Sequence, residues 1–225
     1  GGMAANTPYP GGDGGSGIAI VRYAADLNGV VVNPTWTGTY SGSWGDYNWT
    51  GSIGAWTGEL LPAFSGLDTM ILPDVAGNKT QTRNLASLVI GDGYTINAGT
   101  GGSLTLQSGI IEATGTGTST INAPVVLGND LTKTGTGTVT LNNTVSGAGA
   151  LAVNQGTLVL GGADGAAASI ASVNLGGTGL IGNLTLDNSS GNLADRLNDS
   201  APITMRTGTL KLQGQNSVAA TEPLG

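Results

Sequence analysis

Apolar and polar residues alternate in short bursts along most of this chain, and the bursts recur. The phrase is glycine, a small polar residue, then apolar–any–apolar. It occurs as Gly102-Ser-Leu-Thr-Leu106, Gly137-Thr-Val-Thr-Leu141, Gly156-Thr-Leu-Val-Leu160, Gly182-Asn-Leu-Thr-Leu186 and Gly208-Thr-Leu-Lys-Leu212. Successive starts lie 35, 19, 26 and 26 residues apart, with looser copies at 149–153 and in "STINAPVVLG" at 119–128. A period of two sends alternate side chains to opposite faces of a strand. Leu104/Leu106, Val139/Leu141, Leu158/Leu160, Leu184/Leu186 and Leu210/Leu212 are therefore expected to point inward. Thr105, Thr140, Thr185 and Lys211 are expected to point outward, and Lys133 is read as exposed as well.

Helices have little room here. Glycine recurs every few residues and costs about 1 kcal/mol in a helix interior, so the only helix-friendly stretch is "NLADRLN" at 192–198, a turn or two at most. A lone strand with one apolar face is not stable, but coils stacked on one another bury a continuous ladder. The irregular interval predicts an all-β, parallel β-solenoid. An antiparallel sandwich is the rival, but its Asn-Gly hairpin signal is confined to Asn28-Gly29. About seven coils of ~20 residues, at a strand spacing of ~4.8 Å, would make a rod roughly 35 Å long.

Texture divides the chain into three. Residues 1–33 form a Gly/Pro-rich lead-in with short apolar strands, residues 34–84 hold all four Trp, and residues 85–225 carry the repeats. Composition narrows the picture. The 41 glycines follow no three-residue period, and 39% hydrophobic residues with only one Phe imply a thin aliphatic core rather than a disordered linker. A net charge of −7 argues against a nucleic-acid backbone as partner. No apolar run approaches the ~20 residues of a membrane helix. The absence of Cys and His removes disulfides, thiolate nucleophiles and the commonest general base and metal ligand.

Several stretches resemble a known family. "LASLVIGDGYTINAGTGGSLTLQSGII", "STINAPVVLGNDLTKTGTGTVTLNNTVSGAGAL" and "NLADRLNDSAPITMRTGTLKLQGQNSVAATEPLG" are similar to the autotransporter-associated β-strand repeats of large bacterial surface and secreted proteins. "TWTGTYSGSWGDYNWTGSIGAW" followed by "SGLDTMILPD" resembles the Trp-rich cap that often precedes such arrays, and "GGSGIAIVRY" the end of glycine-rich modules of surface and phage tail proteins. The resemblance implies a right-handed parallel β-helix with a Trp-rich N-terminal cap, secreted or on the cell surface, serving as a stalk, passenger or adhesive fibre. It implies no catalytic activity. The membrane β-barrel of a true autotransporter has no counterpart in these residues.

Candidate chemistry is sparse, and each feature has a plainer reading. Trp36, Trp44, Trp49 and Trp56 suit either a sugar-stacking platform or, the preferred reading, an apolar plug over the end of the solenoid. Ile18, Ile20, Val21 and Tyr23 form a detached apolar strand suited to pairing with a neighbouring subunit's edge. Asp187, Asp195 and Asp199, with Asn188 and Asn198, have the oxygen chemistry of a calcium site. They are read instead as loop carboxylates, with Asp195 and Arg196 making weak surface pairs; no metal or cofactor is expected. A polysaccharide-active enzyme needs convergent carboxylates, and Glu59, Glu112 and Glu222 are far apart in sequence. Six Asn-x-Ser/Thr sequons begin at Asn48, Asn78, Asn142, Asn183, Asn188 and Asn198 and are mostly what chance gives in this composition. The expected function is a non-enzymatic, self-associating extracellular solenoid segment, with glycan binding by the Trp cluster as the alternative.

Overall fold

The computed structural model describes residues 87–98 and 101–224 in full and, ahead of them, the strand backbone at 35–36, 49–53, 56–60, 69–72, 77–80 and 83–86. The lead-in at 1–33, with Ile18, Ile20, Val21 and Tyr23, lies outside the described residues, as does Trp44.

The strands follow one another as β1 (Thr35–Trp36), β2 (Trp49–Ile53), β3 (Trp56–Leu60), β4 (Thr69–Leu72), β5 (Gly77–Thr80), β6 (Arg83–Ile90) and β7 (Tyr94–Asn97). Next come β8 (Leu104–Ala113), β9 (Thr118–Ile121), β10 (Val125–Leu127), β11 (Leu131–Thr134), β12 (Thr138–Leu141) and β13 (Val145–Ser146). The last are β14 (Ala150–Val153), β15 (Gly156–Leu160), β16 (Ser172–Leu175), β17 (Gly182–Asp187), β18 (Ile203–Met205) and β19 (Leu210–Gln213). From β4 onward every pairing between strands is parallel and joins one coil to the next. The result is a β-solenoid of about 6 turns. Among the described residues only the strands β1–β2–β3 pair antiparallel, and they extend the same sheet beyond β4.

The coil has three walls. The long strand β8 pairs with β10 through its first half and with β11 through its second, so it bends from one wall into the next. At that corner Gly109 has φ +62°, and a Cβ there would sit 1.5 Å from the Asp130 carbonyl oxygen, so only glycine fits. The third wall is the sheet β5-β7-β9-β12-β15-β17-β19.

Period-two patterning fills the inside with ladders. Val139, Leu158, Leu184 and Leu210 stack in register, as do Ile96, Ile121, Leu141, Leu160, Leu186 and Leu212. Each fully buried rung contributes roughly 1.5–3 kcal/mol of apolar transfer. The intervals of 19, 26 and 26 residues are thus true coil-to-coil steps. The 35-residue interval is not. Gly102-Ser-Leu-Thr-Leu106 belongs to the first wall, where Leu104 and Leu106 pair with Val125 and Leu127, so one phrase serves two walls. The expected pairs are buried except in the last coil, where Leu210 is partly covered and Leu212, in register with Leu186, is 43% exposed because its strand is at the edge of the sheet.

Two basic residues depart from expectation. Lys133 is fully buried rather than exposed, since Leu131 points inward and the side chain two residues on must do the same. Arg196 is also fully buried and makes no surface pair with Asp195. Its stretch, 192–198, contains no helical turn; its backbone is spent on contacts with neighbouring coils, including a parallel bridge from Leu197 to Ala167.

Candidate functional site

Between β16 and β17 the chain leaves the coil as "GGTGLIG", residues 176–182. Gly176 and Gly179 adopt φ +80° and +72°, and Gly177 and Leu180 exchange backbone hydrogen bonds of 3.2 and 3.3 Å, closing a tight excursion. Its base is tied down: Gly176 N–H donates to Val153 O at 2.8 Å, and Gly156 N–H to Ile181 O at 2.9 Å. The Thr207 hydroxyl of the next coil lies against the carbonyls of Gly177 and Leu180. Leu180 and Ile181 ride on the crest, 39% and 62% exposed.

This crest walls off two grooves. The larger, about 410 Å³, runs over the outer face of the second wall and is lined by Asn154, Asn174, Thr204 and Arg206 together with Leu180. Register aligns Ala152, Asn174 and Thr204 on successive strands, about 4.8 Å apart. The side chains of Asn154, Asn174, Thr204 and Arg206 make no hydrogen bond or ion pair with any described residue. Among the described residues no carboxylate lines the groove, and its one charge is the Arg206 guanidinium. The smaller groove, about 320 Å³, lies beyond the crest against Thr136, Gln155 and Asn183.

The two buried cations, Lys133 and Arg196, serve the fold. Lys133 Nζ donates to the carbonyls of Gly135 (2.6 Å), Gly137 (2.6 Å) and Gln155 (3.0 Å), using all three ammonium donors. Burial pulls its pKa down from 10.5 to about 8. Arg196 uses all five of its donors: Nε to Asn188 Oδ1 (2.6 Å), one terminal nitrogen to Gly161 O and Gly165 O, the other to Gly162 O and Gly191 O, both 2.8 Å. Burial lowers its pKa, while the charges of Asp187 and Glu222 act the other way. Over it, the Glu222 carboxylate accepts the N–H groups of Arg196 (3.0 Å) and Leu197 (2.7 Å), standing where the next coil's carbonyls would be. Burial raises the Glu222 pKa; the two backbone donors partly offset this, and nearby Asp195 and Asp199 add to it.

The residues singled out from sequence fall as follows. Trp36 pairs in register with Trp49, and Trp56 with Ile53, all in the antiparallel β1–β3 extension. Asn188 and Asn198 are committed inside the fold, Asn188 to Arg196 and Leu193 and Asn198 to Ile170 and Ser200. Asp187 accepts the Ser189 N–H as a local turn. No group of three or more acidic residues close enough to hold a metal ion occurs among the described residues. The sequon amides of Asn142, Asn188 and Asn198 all donate within the fold. The groove itself was missed. Its signal was the lengthening of the repeat interval from 19 to 26 residues, which makes room for the excursion, together with an apolar Leu-Ile pair inside a glycine run. No protein-family model, no curated protein and no solved structure matches this chain.

Proposed function

We propose that this chain is a structural segment of an extracellular bacterial stalk, fibre or filament, without catalytic activity or cofactor, and that it associates end to end with further copies. In this reading the coil winds right-handed, the sense that parallel crossovers favour, and the Trp-rich region closes its N-terminal side.

The observation that carries the reading is where side chains are spent. Inward positions form ladders from coil to coil, and many polar side chains bridge adjacent coils. Asn122 Nδ2 donates to Asn97 (2.7 Å), and Asn142 Nδ2 to Asn122 (2.9 Å). Asp92 accepts the Thr116 and Gly117 N–H groups, Asp130 that of Ala150, and Asn183 that of Thr209. At the far end Met205 and Leu212 stand at ladder positions on edge strands, 50% and 43% exposed, which is surface that another coil in register would cover.

Electron microscopy of the purified chain over a concentration series tests this. Filaments that lengthen with concentration, and that Leu212→Lys suppresses, are expected. Short rods of constant length at every concentration would remove self-assembly from the reading. If filaments persist after deletion of residues 1–33, Ile18, Ile20, Val21 and Tyr23 are not the joint. A second reading, glycan binding by Trp36, Trp44, Trp49 and Trp56, is favoured by the register pairing of Trp36 with Trp49. Its test is the intrinsic Trp fluorescence under titration with glycans, which a closed plug leaves unchanged.

A further inference from the structure

We propose that the groove beside the 176–182 excursion binds an acidic saccharide residue, with Arg206 taking the carboxylate. The inference stands apart from whether the chain polymerises.

Four features point to this chemistry. First, the groove is preformed: its wall is held by the Gly177–Leu180 bridge and by the Thr207 hydroxyl of the adjacent coil, so little ordering remains to be done on binding. Its volume of about 410 Å³ is within the range of small-ligand sites.

Second, its polar side chains are uncommitted. Elsewhere in the solenoid, Asn side chains are used between coils, as in Asn97–Asn122–Asn142, or within loops, as at Asn188 and Asn198. Asn154 and Asn174 are used for neither. An amide offers a donor and an acceptor side by side, and so meets vicinal sugar hydroxyls, which are themselves donor and acceptor. Thr204, in register with Asn174, adds a hydroxyl one strand further along.

Third, the charge is selective. In a chain of net charge −7, the groove has one cation and no acid. A guanidinium without a carboxylate partner presents a planar fork that matches a carboxylate in two parallel hydrogen bonds.

Fourth, the lining includes an exposed apolar side chain. Leu180 lines the groove together with the polar residues, and Gly176 beside it packs its backbone so closely on Thr207 that a Cβ there would clash with the Thr207 carbonyl oxygen. An apolar side chain among polar ones suits a pyranose, which presents C–H faces as well as a rim of hydroxyls.

The test is calorimetric titration of the full chain with an oligogalacturonate, with the neutral galacto-oligosaccharide of equal length and with acetate as controls. Binding of the acidic oligosaccharide is expected, with none for the neutral sugar or for acetate. Arg206→Gln and Asn174→Leu should each weaken it about tenfold or more, as expected for a charge-assisted contact. Lys211→Gln, an exposed cation outside the groove, should leave it unchanged. Arg206 is exposed, so its variant is expected to fold, and far-UV circular dichroism confirms this before titration. Equal binding of the neutral sugar, no binding of the acidic one, or full affinity in Arg206→Gln overturns the proposal. Full affinity in Arg206→Gln with a Trp fluorescence response assigns glycan binding to the Trp cluster instead.

Discussion

Replacing Lys133 with methionine sets two opposing effects against each other inside one wall of the coil. The side chain occupies a rung of the ladder Leu88–Ile111–Lys133–Val153–Leu175. Methionine keeps the aliphatic stem there and removes the ammonium. Gly137 O retains the Thr157 N–H at 3.2 Å, but the carbonyls of Gly135 and Gln155 lose their donor, at about 1–3 kcal/mol each. Against this stands the burial of the charge. A pKa moved from 10.5 to about 8 corresponds to about 3 kcal/mol against the protonated form in the folded state. At pH 7 the two effects nearly offset, and the variant should lie within about 3 kcal/mol of the parent.

The pH dependence separates them. Below pH 8 both folded and unfolded chains hold the Lys133 proton, and the burial cost is present in full. Between pH 8 and 10.5 the unfolded chain still holds the proton that the folded chain has released, so stability rises with pH. The parent should therefore gain about 3 kcal/mol over the variant between pH 7 and 10.5. Urea denaturation of both proteins at fixed ionic strength, followed by far-UV circular dichroism, measures the difference, in which the ionisation of Tyr and of other Lys residues cancels. Parallel stability curves would refute the reasoning. A parent that loses ground to the variant as pH rises would show that the three carbonyls hold the proton more strongly than burial repels it.

Other perturbations follow from the same geometry. Arg196→Lys offers three donors where five are used, and should cost about 2–5 kcal/mol in urea denaturation. Gly109→Ala should lower the thermal midpoint far more than Gly101→Ala. Both positions have positive φ, worth about 1–2 kcal/mol, but at Gly109 the Cβ also runs into the Asp130 backbone, whereas at Gly101 it meets open space. Asn122→Leu breaks two links of the Asn97–Asn122–Asn142 chain and should cost about 1–2 kcal/mol. Glu222→Gln replaces one of the two acceptor oxygens by a donor, and should speed amide exchange at Arg196 and Leu197 while leaving Val139 and Leu158 protected.

The ladders were legible because a period of two and an interval of 19 or 26 residues are both local properties of the sequence. The walls were not. Leu104 and Leu106 carry the same phrase as Val139 and Leu141, and only pairing with Val125 and Leu127 assigns them to another wall. Lys133 was misread because the strand pattern was given the wrong phase there; Leu131 sets the direction, and the side chain two residues on shares it. The burial of Arg196 had no local signal, since its acceptors at Gly161, Gly162 and Gly165 lie more than thirty residues away. The groove was hidden for a related reason. Asn154, Asn174 and Arg206 come from three different coils and meet only when those coils stack.

The parallel ladders also decide how such a rod carries load. Hydrogen bonds between coils run along the stacking axis, so tension applied along that axis pulls each bond open lengthwise instead of shearing many at once. Coils should then peel away one after another at low force, each releasing a short, similar length of chain, and the rod would yield stepwise rather than snap. The Arg196 cage interrupts that sequence. It clamps the backbone at Gly161–Gly165 and Gly191 to its own coil, while Glu222 grips the same segment from above. These coils should then yield together as one block, at higher force than the coils before them.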